Sequence, residues 1–227
     1  MKNLFFINHS WKFYILFFLI PFLCVSQNIK AQTGKDTIKT NGIRLGFDIG
    51  GFGAGLANIS NKKMEFSGDV GYKKLFFVGE LGFGSKNEKN ELYNYKQQGY
   101  YARLGIEKNL LKGDDALFVG MRYGLSYQRH QASDILIKDP IWGDITGTSI
   151  PVSEFSVHWL EGVGGIKVKL FHNFYMGYTL RLKIKIYNSD YGDYQPFTVI
   201  GFGKPDKSVQ AGMSYYIFYR IPFKRKK

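Results

Sequence analysis

Cysteine is almost missing from this chain. There is one, Cys24, and it lies in the leader, so no disulfide framework braces the mature protein. Long apolar runs are missing too. The best candidate, FYILFFLIPFLCV from Phe13 to Val25, is about a dozen residues, below the ~18 that suggest a membrane-crossing helix. Acidic residues are scarce, with 18 Asp and Glu against 31 Lys and Arg and a formal net charge of +13. Such a surplus suits nucleic acid, but no clustered recognition element accompanies it. Part sits in Lys2, Lys12 and Lys30, part in the tail Lys224, Arg225, Lys226 and Lys227, and much of the rest alternates with apolar residues. Nucleic acid is therefore not expected as a partner. P-loop, dinucleotide fingerprint, CxxC and HExxH motifs are all absent. The run Gly50-Gly51-Phe52-Gly53 falls inside a predicted strand, the wrong context for a phosphate cradle. Asp134, Asp139, Asp144, Asp190 and Asp193 do not have the spacing of a calcium loop. The sequence thus leads us to expect no cofactor and no metal.

Aromatics and glycine are plentiful, with 20 Phe, 16 Tyr and 27 Gly in 227 residues. Their arrangement is clearest in FYMGYTLRLKIKIY, Phe174 to Tyr187. Phe174, Met176, Tyr178, Leu180, Leu182, Ile184 and Ile186 alternate with Gly177, Thr179, Arg181, Lys183 and Lys185. A period of two puts the sets on opposite faces of a strand, whereas a helix would smear the cations around its circumference.

Lys2 and Lys12 ahead of the apolar core predict a signal peptide over residues 1–31. Cleavage follows Ala31 or, alternatively, Ser26; bulky Leu23 before Cys24 argues against lipidation. Residues 32–42 read as a flexible segment, 43–223 as a barrel and 224–227 as a basic tail. The first strand is expected from Ile43 to about Ala57, with a bulge at Gly50-Gly51 where the apolar phase flips. Seven more follow. Lys73-Lys74, Lys112-Gly113-Asp114 and Phe171 to Asn173 read as tight turns. Ser85 to Gln98, Arg129 to Val152 and Asn188 to Ser208 read as long loops.

Alternation of short and long connections over an even number of strands predicts an all-β, eight-stranded antiparallel up-and-down transmembrane barrel. Its short turns would be periplasmic and its long loops extracellular. A soluble lipocalin-like barrel would invert the same pattern, with the apolar set lining the cavity.

The leader, the alternating Gly/aromatic strands and the closing GMSYYIFYRIPF resemble small outer-membrane β-barrels of Bacteroidota over about residues 42 to 223. Tyr219 and Phe223 resemble the aromatic-ended signal by which such barrels are recognised for assembly, although Lys224 to Lys227 follow it. The resemblance implies location in the cell outer membrane, with membrane lipid and the assembly machinery as partners. It implies no particular activity. The expectation is a monomeric, non-enzymatic barrel with a surface-binding or structural role. The alternatives are a narrow pore or an accessory barrel for transport or secretion.

The strand phase places Arg44, Arg103, Arg122, Arg181, Lys183, Lys185 and Arg220 inside, with Asp48, Glu65, Asp69, Glu80, Glu107 and Glu161. Buried charges must pair. They form either a structural ion-pair core or a relay for protons or small ions; Glu161 is the expected partner of Arg181. Glu154, Ser156 and His158 share one face of the sixth strand. A carboxylate, hydroxyl and imidazole can make a nucleophile-base-orienter set. They loosely resemble the His, Ser and Glu of outer-membrane lipid A deacylases, but in a different order and on one strand, which leaves a hydrolase as a remote alternative. Trp142, Tyr191, Tyr194 and Phe197 are loop aromatics suited to a surface partner or to an inward plug.

Overall fold

The structure is a computed structural model that describes residues 42–57, 60–137, 143, 145–192 and 194–223. The expected signal peptide, most of the expected N-terminal segment, the basic tail, Trp142, Asp139, Asp144 and Asp193 lie outside the described residues.

Eight strands form a closed barrel, each paired antiparallel with its sequence neighbour, and the last returns to the first. They are β1 Gly42–Asp48, β2 Asn61–Tyr72, β3 Leu75–Lys89, β4 Asn94–Asn109, β5 Ala116–Ile137, β6 Ile145–Phe171, β7 Phe174–Asn188 and β8 Val209–Pro222. Closure leaves Gly42 opposite Pro222, so both ends of the barrel sequence meet at the end with the tight turns. Lys73 and His172 take left-handed backbone (φ 55 and 43) in the two tightest of these.

The face assignment made from periodicity holds around the ring. Arg44, Glu65, Glu80, Arg103, Arg122, Glu161 and Arg181 are buried, while Leu45, Phe66, Leu81, Leu104, Met121 and Leu180 are exposed on the outer wall. The apolar set is therefore outside, and the inverted arrangement of a ligand-carrying barrel is not what forms. Glycine abundance has a packing reason. Gly82 pairs with Tyr101 and Gly124 with Trp159 across neighbouring strands. A Cβ at either glycine would come within 2.1 or 2.2 Å of the facing ring, so large inward aromatics require a partner without a side chain.

Four expectations are corrected. The chain beyond Asp48 is not a bulged continuation of the first strand but a helix, α1, Ile49–Ala57. Asp48 starts it as an N-cap: its Oδ1 accepts the Gly51 amide at 3.1 Å. Gly42, assigned to the flexible segment, is the first residue of β1. Ser85 to Gln98 is mostly strand, since β3 and β4 pair up to Lys89 and Asn94. The described residues between Arg129 and Val152 are likewise the irregular top of the β5–β6 hairpin, with shifts of register after His130. In both places the inward alternation continues, through buried Tyr95, Gln97, His130 and Ala132, but the outward positions turn polar. The strands outrun the apolar belt, and a search for an apolar face ends where the belt ends.

Candidate functional site

The lumen is filled in two layers. The lower layer is ionic. Arg44 Nε lies 2.7 Å from Asp69 Oδ1, and Lys167 Nζ lies 2.9 Å from Asp69 and 2.8 Å from Glu107. Arg122 bridges Glu107 and Glu80, at 2.6 Å to the latter. Glu80 also takes Arg103 at 2.9 Å and Arg181 at 3.0 Å. Glu65 joins the same two arginines at 3.0 and 3.2 Å. Lys63 then links Glu65 to the helix-capping Asp48, at 3.0 and 3.5 Å. The signs alternate along this whole path. Tyr101 and Tyr216 hydroxyls donate to Glu65, and Trp159 Nε1 donates to Glu161 at 2.7 Å.

Among the described residues, the buried cations are Arg44, Arg103, Arg122, Lys167, Arg181 and Lys183. The buried anions are Asp48, Glu65, Asp69, Glu80, Glu107 and Glu161. Six face six, so the fully buried charges balance, and half-buried Lys63 adds one further cation at the rim of the network. Two residues of the expected network lie at the mouths and are only half-buried. Lys185 donates to the Pro205 carbonyl at 2.6 Å and Arg220 to Asp114 at 3.3 Å. Arg181 does not have Glu161 as its main partner; that contact is 3.8 Å and Glu80 is nearer. Lys167 is not among the residues expected in the network. It lies in it with a side-chain exposure of 2%, because only three-dimensional closure brings β6 opposite β2.

The upper layer is the β7–β8 connection, 189–208, folded down into the barrel. Val199, Ile200 and Phe202 are buried and pack with Tyr101, Phe155, Val157 and Trp159. Polar groups of the wall hold its backbone. Arg103 Nη2 and Lys183 Nζ donate to the Gly201 carbonyl at 3.0 and 2.8 Å, and Gln97 donates to that of Thr198 at 2.6 Å. Lys183 also reaches the Phe202 carbonyl at 3.1 Å, which explains a buried lysine with no carboxylate beside it. Gly201 takes φ 89 at the tip, and a Cβ there would meet the Tyr101 ring at 2.6 Å.

Of the loop aromatics suited to a surface partner or an inward plug, Tyr191 and Tyr194 turn inward. His130 packs at 4.4 Å from the Tyr194 ring and 5.2 Å from Phe155, whose ring also contacts Tyr191. Phe197 sits edge-on to Tyr95 at 4.6 Å, yet keeps 47% of its surface exposed. Burial holds the His130 imidazole below its ordinary pKa, against a backbone hydrogen bond that raises it. Its Nε2 meets the Tyr191 carbonyl at 3.0 Å, and Nδ1 has no partner. The neutral ring with hydrogen on Nε2 fits both facts. In the unfolded chain His130 takes up a proton below about pH 6.5, which the folded loop resists. Its stabilising contribution is therefore full above that pH and declines as pH falls through it. Protection factors at Val199 to Gly203, with the intrinsic exchange rate divided out at each pH, should fall between pH 7 and pH 5, and His130→Gln should flatten the dependence. An unchanged slope in the variant would remove His130 from the loop's anchorage.

Glu154, Ser156 and His158 do share a face, the outer one. Glu154 accepts from the Tyr127 hydroxyl and His158 Nδ1 pairs with that of Tyr123. None of the described hydrogen bonds joins the three to one another. Among the described residues no group of three or more His, Cys, Asp or Glu is placed to hold a metal ion.

A family model described as a domain of unknown function, DUF6048, matches residues 9–226. No curated protein matches the chain.

Proposed function

We propose that this chain, which belongs to the DUF6048 family, is an integral outer-membrane β-barrel after removal of its leader. It is non-enzymatic and closed by its own loop, with a structural or surface-binding role at the rim. The supporting observation is the outer wall. Apolar side chains cover it on every strand of a ring whose fully buried interior charges balance. On β5 the outward apolar residues run from Leu117 to Tyr127. Ten steps of about 3.4 Å, tilted by ~40°, give roughly 26 Å along the barrel axis, the height of a lipid-facing belt. No described helix is long and apolar enough to cross a membrane, so strands would do the crossing.

The narrow-pore alternative finds little support in a lumen occupied by paired charges below and Val199, Ile200 and Phe202 above. Folded protein in mild detergent should run at a different apparent mass before and after boiling, and should stay with the membrane fraction in alkaline carbonate. Identical migration together with carbonate extraction would sink the membrane reading.

A further inference from the structure

Cross-strand register sorts the outer wall into rows. Met64, Phe83, Tyr100 and Tyr127 stand side by side on β2 to β5. One step toward the loops, Lys62, Ser85, Gln98, Arg129 and Glu154 form the next row. An apolar and aromatic row is thus overlaid by a polar one, and between them a cleft of ≈ 520 Å³ indents the wall. Its cations differ from those of the lumen. Lys62 and Arg129 are exposed, and among the described ion pairs neither has a carboxylate. The Gln98 side chain lies against the Arg129 guanidinium, and its amide satisfies both groups when its oxygen faces Arg129. The one acid lining the cleft, Glu154, is engaged by the Tyr127 hydroxyl.

We infer that this cleft binds a phosphorylated lipid, with the phosphate between Lys62 and Arg129 and the acyl chains against Met64, Phe83 and Tyr100. The inference rests on the membrane reading above. Charge complementarity selects the headgroup: a planar guanidinium and an ammonium lining one cleft suit phosphate oxygens. The adjoining apolar row selects a lipid over a free ion, because a soluble phosphate leaves Met64 and Phe83 uncovered.

Insertion is measured first, as heat-modifiable migration and protease resistance in phosphatidylcholine vesicles. Lipid retention is measured separately by native mass spectrometry with added phosphatidic acid or phosphatidylcholine. Wild-type protein should retain one phosphatidic acid at least tenfold better than phosphatidylcholine. Lys62→Gln with Arg129→Gln should abolish that preference while inserting normally, and Glu154→Gln should strengthen it. Normal insertion with no preference, or a preference that survives the double substitution, overturns the lipid site alone. Equal occupancy by inorganic phosphate reduces the cleft to an anion site and also overturns it. Failure to insert overturns the membrane reading and the lipid site with it.

Discussion

Glu80→Gln should destabilise the folded barrel by about 3–5 kcal/mol, the cost of breaking a buried ion pair from one side. Glu80 is 2% exposed and accepts from Arg103, Arg122, Arg181 and the Tyr216 hydroxyl. Its charge closes a set of six buried cations and six buried anions. An amide leaves that buried set one positive charge in excess, among side chains that are at most 8% exposed. It also presents two N–H donors to a site built from donors. Urea unfolding in phosphatidylcholine vesicles, followed by the fluorescence of buried Trp159, would measure the loss. Asp114→Asn is the comparison. Its pairs with Lys169 and Arg220 lie at the barrel mouth with about a third of the carboxylate side chain exposed, where such pairs contribute about 0–1 kcal/mol. Adding Arg122→Met to Glu80→Gln restores neutrality, so the double variant should lose less than the two single losses combined. A Glu80→Gln loss no larger than that of Asp114→Asn would mean that water solvates the lumen, and the relay alternative would regain ground.

How much of this arrangement could be read from the chain depends on which physical signal each part leaves. Face assignment was legible because a strand's period is two and the lipid-like and charged sets rarely mix: Leu180, Arg181 and Leu182 already state the answer. The identity of charge partners was not, because pairing runs across the lumen. Lys167 meets Asp69 from 98 residues away and Arg181 meets Glu80 from 101, separations that alternation cannot encode. Strand ends failed at Ser85 and Arg129 for a related reason. Past the belt both faces become polar enough to resemble a loop, while the inward face still carries Tyr95, Gln97 and His130. α1 did leave a local mark, Asp48 ahead of a small, apolar run, which is an N-cap signature. The continuing apolar pattern of Phe52, Ala54 and Leu56 outweighed it. The inward loop was legible only as aromatic content; Gly201 between Ile200 and Phe202 signals a tight tip, but nothing local says which way the tip points.

Leu180→Arg tests the outer wall as Glu80→Gln tests the inner one. Leu180 is 54% exposed, lies midway along the apolar face of β7, and is flanked across the strands by Gly164 and Met213. Neither neighbour offers a partner for a guanidinium. In a bilayer the substitution places a cation near the midplane and should cost about 2–4 kcal/mol, whereas Ile186→Arg near the rim should cost about 0–1 kcal/mol. The gradient is the decisive quantity. In a water-soluble barrel the two positions are equally wet, and both arginines would be tolerated with changes inside about 0.5 kcal/mol. Urea unfolding in vesicles gives both values. Accessibility adds an independent readout, because a mature chain without the leader has no cysteine of its own. Leu180→Cys in vesicles should resist a membrane-impermeant maleimide that labels Lys62→Cys. Equal labelling of the two, with no stability gradient between Leu180→Arg and Ile186→Arg, would turn the apolar belt into a water-facing surface and end the membrane reading.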